Sequence, residues 1–318
     1  MAGTAKGKRR MGWIGWTVLG LVLLGAVGVY TFRRALENNA VAVLDSADKL
    51  LNGGDGAMRQ VADLRYGNDP AQKLEMFVPQ GATGSLPVLV FVHGGSWAGG
   101  DPHDYRFIAR TFCAKGYAVV LAGYRLYPRA RFPAMVQDGA AAVRWVHDNA
   151  AKLGGDPARV ALMGHSAGAY NVAMLTLDPQ WLRAVGLDDT AIRGTVALAG
   201  PFDFLPLDSD ATINAFGNAP DPLKTQPVNF VRKDAPPMLL VTGDADTRVK
   251  PRNSKRLAQL LTQAGAPNQP VLIEGVTHEK IIMMFAQPFA RDSRAIDAVV
   301  PFLDRVTAPS VAVQAAGG

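Results

Sequence analysis

The chain of 318 residues has a single cysteine, Cys113, so it can form neither an internal disulfide nor a cysteine-based zinc site. Its five histidines show neither the H-E-x-x-H motif nor another paired spacing typical of metal ligands, and we therefore expect no catalytic metal. No internal repeat is present either. The length itself allows either one large α/β domain or two small ones.

Acidic residues are missing from the first 34 positions, which hold six basic side chains. Those six account for the whole formal net charge of +6, so the rest of the chain is balanced in charge. A nucleic-acid-binding domain instead gathers basic residues on one of its faces. We therefore expect no nucleic-acid partner.

Charge is also absent from Met11–Phe32, a stretch of 22 residues that is long enough to cross the core of a bilayer. Trp13, Trp16 and Tyr30 lie near its two ends, where interfacial aromatic residues are common. A cleaved signal peptide is the alternative, but its apolar core is typically about 7–15 residues long and is followed by a cleavage site of small residues. The sequence thus predicts an uncleaved single-pass membrane anchor.

More basic side chains precede this span than follow it, so the positive-inside rule favours a cytoplasmic N-terminus and a periplasmic or extracellular main domain. Composition divides the chain into a basic tail with the anchor (1–34), a linker (35–60), a catalytic domain (61–307) and a tail expected to be disordered (308–318).

Short apolar runs alternate with helical patterns throughout the predicted catalytic domain. The predicted strands lie at 73–79, 86–95, 117–126, 159–164, 194–200, 237–244 and 269–275. Two clear helical patterns cover 135–153 and 253–265. Such alternation is typical of an α/β fold with a parallel sheet that is covered on both faces. In these sheets ligands bind beyond the carboxyl ends of the strands, so we expect the functional residues along one edge.

One strand runs directly into Gly-His-Ser-Ala-Gly and then into a helical pattern. Gly164 and Gly168 stand two residues before and after Ser166, where larger side chains would crowd a tight turn. A serine in this position is typical of a nucleophile elbow, which exposes the hydroxyl beside the N–H groups of the next helix. The motif alone leaves an ordinary glycine-rich turn as the alternative.

Three further motifs accompany this serine in the chain order of an α/β-hydrolase: "HGGSW", "GDADTRV" and "GVTHEK". The phrases "RYGNDPAQKLEMFVP", "GYRLYP" and "GGDPARVALMGHSAGA" are similar to those of carboxylesterases. The chain resembles the group that includes hormone-sensitive-lipase-like and feruloyl/acetyl-xylan-esterase-like enzymes, and the resemblance covers about residues 61–307.

The resemblance implies a serine esterase that uses no cofactor and acts on a small-molecule ester. Ser166 matches the nucleophile, His278 the base, and Asp246 the acid that orients the base. Asp244 is the rival acid, and we expect it to cap the turn at the end of its strand.

The resemblance also implies an oxyanion hole. Backbone N–H groups of Gly95, Ser96 and Ala167 match its donors, and Gly94 allows the loop to approach the serine closely. Ser96 departs from the HGGG form of the family but keeps an N–H group. Trp97 either lines the substrate pocket or anchors the loop in the core.

Residues 201–236 carry no strand pattern, and we interpret them as a short, partly helical cover that favours small esters. Two alternatives to an esterase stay open. The first is an arylformamidase or amidase, which shares the HGGxW and G-H-S-A-G motifs. The second is a hydrolase fold that binds a ligand without catalysis. No particular oligomeric state is favoured.

Overall fold

A computed structural model of the chain describes residues 28–31, 34 and 39–309. These residues fall into two units, which are divided between Val43 and Leu44. The described residues of the first unit are helical. The second unit contains the sheet and the helices that cover it.

The predicted membrane anchor, Met11–Phe32, lies outside the described residues apart from 28–31. Within the part of the chain that the structure describes, no helix combines the length and the apolar character needed to cross a bilayer. The predicted tail also lies outside the described residues from position 310 onward.

One eight-stranded sheet forms the centre of the second unit. Its strands are β1 (Met58–Arg65), β2 (Lys73–Pro79), β3 (Leu86–Val92), β4 (Ala118–Ala122), β5 (Gly155–His165), β6 (Gly194–Leu198), β7 (Met238–Gly243) and β8 (Val271–Ile273). They lie in the order β1-β2-β4-β3-β5-β6-β7-β8, and only β2 runs against its neighbours. The central strands are buried on both faces, as continuous apolar runs in a parallel sheet predict.

Helices cover both faces of this sheet. From residue 39 onward, the helices of the described chain are α1 (39–51), α2 (Arg106–Cys113), α3 (Ala134–Asn149), α4 (Ala167–Leu177), α5 (Gln180–Arg183), α6 (Asp210–Phe216), α7 (Arg252–Gln263), α8 (His278–Met283) and α9 (Arg294–Val306). Side chains of α3, α4 and α7 share buried clusters with alternate residues of the strands. α2 and α9 pack on the opposite face. The predicted α/β architecture with a mostly parallel sheet is confirmed.

Every strand predicted from an apolar run is present, and β2 has the predicted bounds. β1 was not predicted as a strand. It is the outer strand of the sheet and pairs only with β2, so most of its side chains are partly or fully exposed and form no continuous apolar run. Its antiparallel pairing with β2 is a tertiary contact that the local sequence does not encode.

The segment expected to be a linker, 35–60, differs from that expectation where it is described. It contains the helical residues 39–51 and the start of β1 at Met58. Arg110 of α2 binds three of its carboxylates: Asp45, Asp48 and Asp55. Ion pairs with a helix that is distant in sequence produce no periodic pattern, so the sequence of this segment alone predicts only a connector.

No strand lies between β6 and β7, as expected for the predicted cover. This region contains α6 and two 3₁₀ turns, at Pro222–Thr225 and Pro227–Phe230. Ser209 and Thr212 form a capping box at the start of α6, which satisfies backbone N–H groups that a short helix leaves unpaired. Phe216, at the end of α6, is buried against the core and holds the cover in place.

Candidate active site

Ser166 stands at the turn between β5 and α4. Its backbone has φ 55° and ψ −119°, a conformation that residues with a side chain rarely adopt. A Cβ added at Gly168 would lie 2.0 Å from the carbonyl oxygen of Val92, and one at Gly164 would lie 2.4 Å from that of Gly168. The two glycines therefore allow the turn to close on itself and to lie against β3.

Ser166, His278 and Asp246 form a continuous chain of hydrogen bonds. Oγ of Ser166 lies 2.8 Å from Nε2 of His278, and Nδ1 of His278 lies 2.8 Å from Oδ2 of Asp246. Because a carboxylate only accepts, Nδ1 carries the proton and Nε2 is left to accept the serine hydroxyl. This arrangement allows the histidine to remove the hydroxyl proton.

Asp246, rather than Asp244, faces His278. Oδ1 of Asp246 accepts two backbone N–H groups of the following turn at 2.9 and 2.8 Å, which directs Oδ2 toward the imidazole. Asp244 is exposed, and its carboxylate accepts the N–H of Gly275 at 2.7 Å. It therefore links the loops that follow β7 and β8, which is the capping position expected for it.

The loop after β3 brings the predicted oxyanion residues beside Ser166. A Cβ added at Gly94 would lie 3.2 Å from Cβ of Ser166, so the loop passes close to the elbow at this position. Gly95 and Ser96 both have positive φ angles, of 119° and 54°. The backbone N–H groups of Gly95, Ser96 and Ala167 donate no hydrogen bond to any other group in the part of the chain that the structure describes.

Trp97 is 3% exposed and belongs to a cluster of aromatic side chains. Its ring meets those of Tyr170 and Phe216 edge-on, with centroids 5.4 and 4.8 Å away, and Phe204 lies at 6.3 Å. Tyr170 is one helical turn beyond Ser166, to whose carbonyl its N–H donates. Trp97 thus has the burial of a loop anchor, and Tyr170 connects the aromatic cluster to the helix that begins after the serine.

Sequence reasoning missed two contacts that support this geometry. Nε2–H of His165 donates to the carbonyl oxygen of His278 at 3.0 Å. The hydroxyl of Tyr124 donates to the carbonyl oxygen of His93 at 3.1 Å, directly before the oxyanion loop. Both donors stand inside motifs that the sequence singles out, "GHSAG" and "GYRLYP", but nothing local indicates their partners.

Burial keeps the two neighbouring histidines neutral. It lowers the pKa of His93, and burial together with the nearby His278 lowers the pKa of His165 to about 3. Neither ring therefore adds a positive charge beside the imidazole of His278 at neutral pH.

Apart from the chain of Ser166, His278 and Asp246, the described residues contain a group of potential metal ligands on β1, β2 and the turn before α2. Ligand atoms of Asp63, Glu75 and His103 fall within 4.8 Å of one another. The buried carboxylate of Glu75 already pairs with the guanidinium of Arg106, and His103 Nδ1 lies 2.8 Å from it. Because Arg106 neutralises the best ligand of the group, these residues form an ion-pair cluster and not an open cation site.

The sequence model of the BD-FAE family matches residues 74–261, more than half of the chain, and this stretch includes Ser166 and Asp246. The chain belongs to the BD-FAE family. This membership and the esterases among its relatives confirm the resemblance to the carboxylesterase group of α/β-hydrolases.

The named relatives align with only part of this BD-FAE chain. It is 27% identical over 243 residues to a probable isoprenylcysteine alpha-carbonyl methylesterase of Arabidopsis thaliana. This alignment covers 69% of this chain and 50% of the relative. The chain is 30% identical over 227 residues to the esterase LipQ of Mycobacterium tuberculosis, which covers 65% and 54%. The chain thus spans about half the length of the curated relatives it matches.

The fold of the BD-FAE chain is also found among solved structures. A truncated form of a carbohydrate esterase from gut microbiota has a TM-score of 0.70 and 22% identity, over 80% of this chain and 98% of that one. At that identity the likeness shows a common fold, and nothing about the substrate.

Proposed function

We propose that this BD-FAE family member hydrolyses carboxylic esters through an acyl-enzyme formed on Ser166. His278 takes the hydroxyl proton while Oγ attacks the ester carbonyl, and it then passes that proton to the departing alcohol. Water attacks the acyl-enzyme next, and the acid is released. Asp246 holds the imidazole in the required tautomer and stabilises its positive charge.

The hydrogen-bond chain from Oγ of Ser166 through His278 to Asp246, with 2.8 Å at each link, is the observation that carries this proposal. The N–H groups of Gly95, Ser96 and Ala167 are the donors we assign to the negative oxygen of the intermediate. In other hydrolases one such donor contributes about 10²–10³-fold to kcat. The esterase names of the relatives support the same chemistry.

We further propose that the acyl group is small. Trp97, directly after the oxyanion residue Ser96, and Tyr170, one helical turn beyond Ser166, pack with Phe204 and Phe216, and all four rings are nearly inaccessible to solvent. A long acyl chain on this side has to displace packed rings, and overpacking a dense core is costly, at about 1–3 kcal/mol. A short acyl chain leaves the cluster undisturbed.

Hydrolysis of p-nitrophenyl esters from acetate to laurate by the purified chain tests both proposals. We expect kcat/KM to be highest for acetate to butyrate and to fall toward laurate. An aryl formamide included in the series tests the amidase alternative, which a preference for that substrate would support. Absence of turnover on every substrate would favour a binding protein with a hydrolase fold.

Covalent labelling tests the acyl-enzyme independently of substrate choice. A fluorophosphonate probe reacts with an activated serine, and peptide mass spectrometry locates the adduct. We expect a single adduct on Ser166 and loss of ester turnover in proportion to labelling. An active protein that carries its adduct elsewhere would contradict the assignment of the nucleophile.

We also propose that Met11–Phe32 anchors the chain in a membrane, with the folded unit outside the cytoplasm. The uncharged length of the segment and the basic residues around it support this. Periplasm-active and cytoplasm-active reporters fused after Thr307 test the orientation, and the mass of the membrane-extracted protein tests whether the segment is retained. Activity of the cytoplasmic reporter alone would overturn the orientation, and a soluble form beginning near Val43 would identify a signal peptide.

A further inference from the structure

His165, the residue before the nucleophile, lies at the junction of three segments of the site. Its Nε2 is 3.0 Å from the carbonyl oxygen of His278, and the centroids of the two rings are 4.9 Å apart. Its Nδ1 is 3.2 Å from the place that a Cβ on Gly94 would occupy. The buried ring thus fills the space between the nucleophile elbow, the oxyanion loop and the turn that bears His278.

The direction of this hydrogen bond determines the tautomer of His165. A carbonyl oxygen only accepts, so Nε2 carries the proton. The ring is neutral at neutral pH, since the pKa of His165 is lowered to about 3 by burial and by His278. A neutral donor holds the carbonyl without placing a second positive charge beside the imidazolium that forms during the reaction.

The backbone of His278 is positioned by contacts from more than one segment. His278 is the first residue of α8, a helix of six residues that Thr277 caps, and the preceding β8 has three residues. Short elements have few internal hydrogen bonds, so contacts with other segments contribute to the position of their first residues. The bond from His165 ties the backbone of His278 to the same turn that carries Ser166.

We propose that His165 is a positioning residue, whose Nε2–H holds the backbone of His278 so that the imidazole meets Oγ of Ser166 at hydrogen-bonding distance. This inference rests on the proposed hydrolysis. Small displacements of a catalytic group are costly, because a misplacement of about 1 Å can reduce a rate by about 10²-fold. His165 therefore contributes to kcat without touching the substrate.

Three substitutions separate the hydrogen bond from the volume of the ring. His165→Gln places an amide N–H near the position of Nε2, and His165→Asn places one near Nδ1, out of reach of the His278 carbonyl. His165→Leu fills the space without a donor. We expect kcat within about threefold of the parent for His165→Gln and a loss of about tenfold to hundredfold for the other two, with KM within about threefold throughout.

The measurement is kcat per active site, with sites counted by fluorophosphonate titration of the full chain. Damage to the fold lowers the number of titrated sites, whereas a misplaced base lowers the turnover of each site. Parental kcat in a folded His165→Leu variant would overturn the proposal, and so would equal losses in His165→Gln and His165→Asn. If His165→Leu does not fold, the Gln and Asn pair carries the test. A parent chain without ester turnover would contradict the proposed function and this inference with it.

Discussion

Two buried polar clusters of this protein differ in the chemical group on which their hydrogen-bond networks end. Around Arg110, a guanidinium that is almost fully buried is bound by three carboxylates: Asp45, Asp48 and Asp55. At the carboxyl edge of the sheet, Asp246 and His278 are as deeply buried, but their chain of hydrogen bonds ends on the partly exposed hydroxyl of Ser166. The first cluster consists of paired charges and continues through Asp55 to the exposed Lys49, whereas the second ends on a hydroxyl.

Backbone conformation separates the same two regions. Among the described residues, the non-glycine residues with positive φ are Ser96, Trp97, Ser166 and Ala199, and each follows the carboxyl end of a strand. None belongs to α1, α2 or the turn between α1 and β1. Burial of charge is therefore common to both clusters, whereas backbone strain and an open hydroxyl are found only at the predicted catalytic edge.

The largest expected effect comes from removing that hydroxyl. Ser166→Ala should lower kcat for ester hydrolysis by at least about 10⁴-fold, because no other group replaces the nucleophile. Its melting temperature should stay close to that of the parent, since only one partly exposed hydrogen bond, from Oγ to His278, is lost and no ion pair is broken. Ser85→Ala, at an exposed loop position, is the control and should behave as the parent. If Ser166→Ala turned over esters at the parental rate, Ser166 would not be the nucleophile.

The two aspartates after β7 should differ next most strongly. Asp246→Asn removes the carboxylate that fixes the tautomer of His278, and we expect kcat to fall by about 10⁴-fold. Asp244→Asn replaces a charged acceptor of the Gly275 N–H with a weaker, neutral amide oxygen, and it should cost about 1 kcal/mol of stability or less with little change in kcat. Kinetics and urea unfolding of both variants measure this. The reverse order of the two kcat values would show that the acid is Asp244.

The Arg110 cluster should respond in stability and not in turnover. Arg110→Leu leaves three partly or fully buried carboxylates without their guanidinium, and we expect a loss of about 3–5 kcal/mol in the free energy of unfolding. Turnover per titrated active site should stay within about twofold of the parent. Arg144→Leu, which breaks an exposed pair with Asp148, is the control and should change little. A large loss of turnover per site in Arg110→Leu would show that the two clusters are coupled.

The smallest expected effect concerns pH. The pKa of His165 is about 3 in the folded chain and near 6.5 when unfolded, so the unfolded chain gains a proton first as the pH falls. The associated stability is present above pH 6.5 and is lost toward pH 3. Between about pH 7.5 and about pH 5 this amounts to about 2 kcal/mol, which His165→Gln should no longer lose.

Urea midpoints of the parent and of His165→Gln at both pH values measure that difference. The buried His93, whose pKa is also lowered by burial, is retained in both proteins, so the comparison isolates His165. Equal losses of stability on acidification would show that His165 is already protonated in the folded chain.

Local sequence patterns predicted seven of the eight strands and the glycine pattern of the elbow. The apolar runs of the strands follow from burial on both faces, and Gly164 and Gly168 follow from the crowding of a tight turn. Both signals involve residues that are near in sequence, so they can be read without knowledge of the fold. The chain order of the motifs, together with the family resemblance, predicted that Ser166 and His278 belong to the same active site.

Only the tertiary structure decided which neighbours these residues meet. Asp244 and Asp246 are two residues apart, and the direction of the turn after β7 determines that the latter faces His278. His165 and His278 are 113 positions apart, and they meet because parallel strands bring their carboxyl ends to one edge of the sheet. The partners of Arg110 lie 55 to 65 positions away in the chain. No local pattern encodes such pairs, since each depends on packing between elements that are distant in sequence.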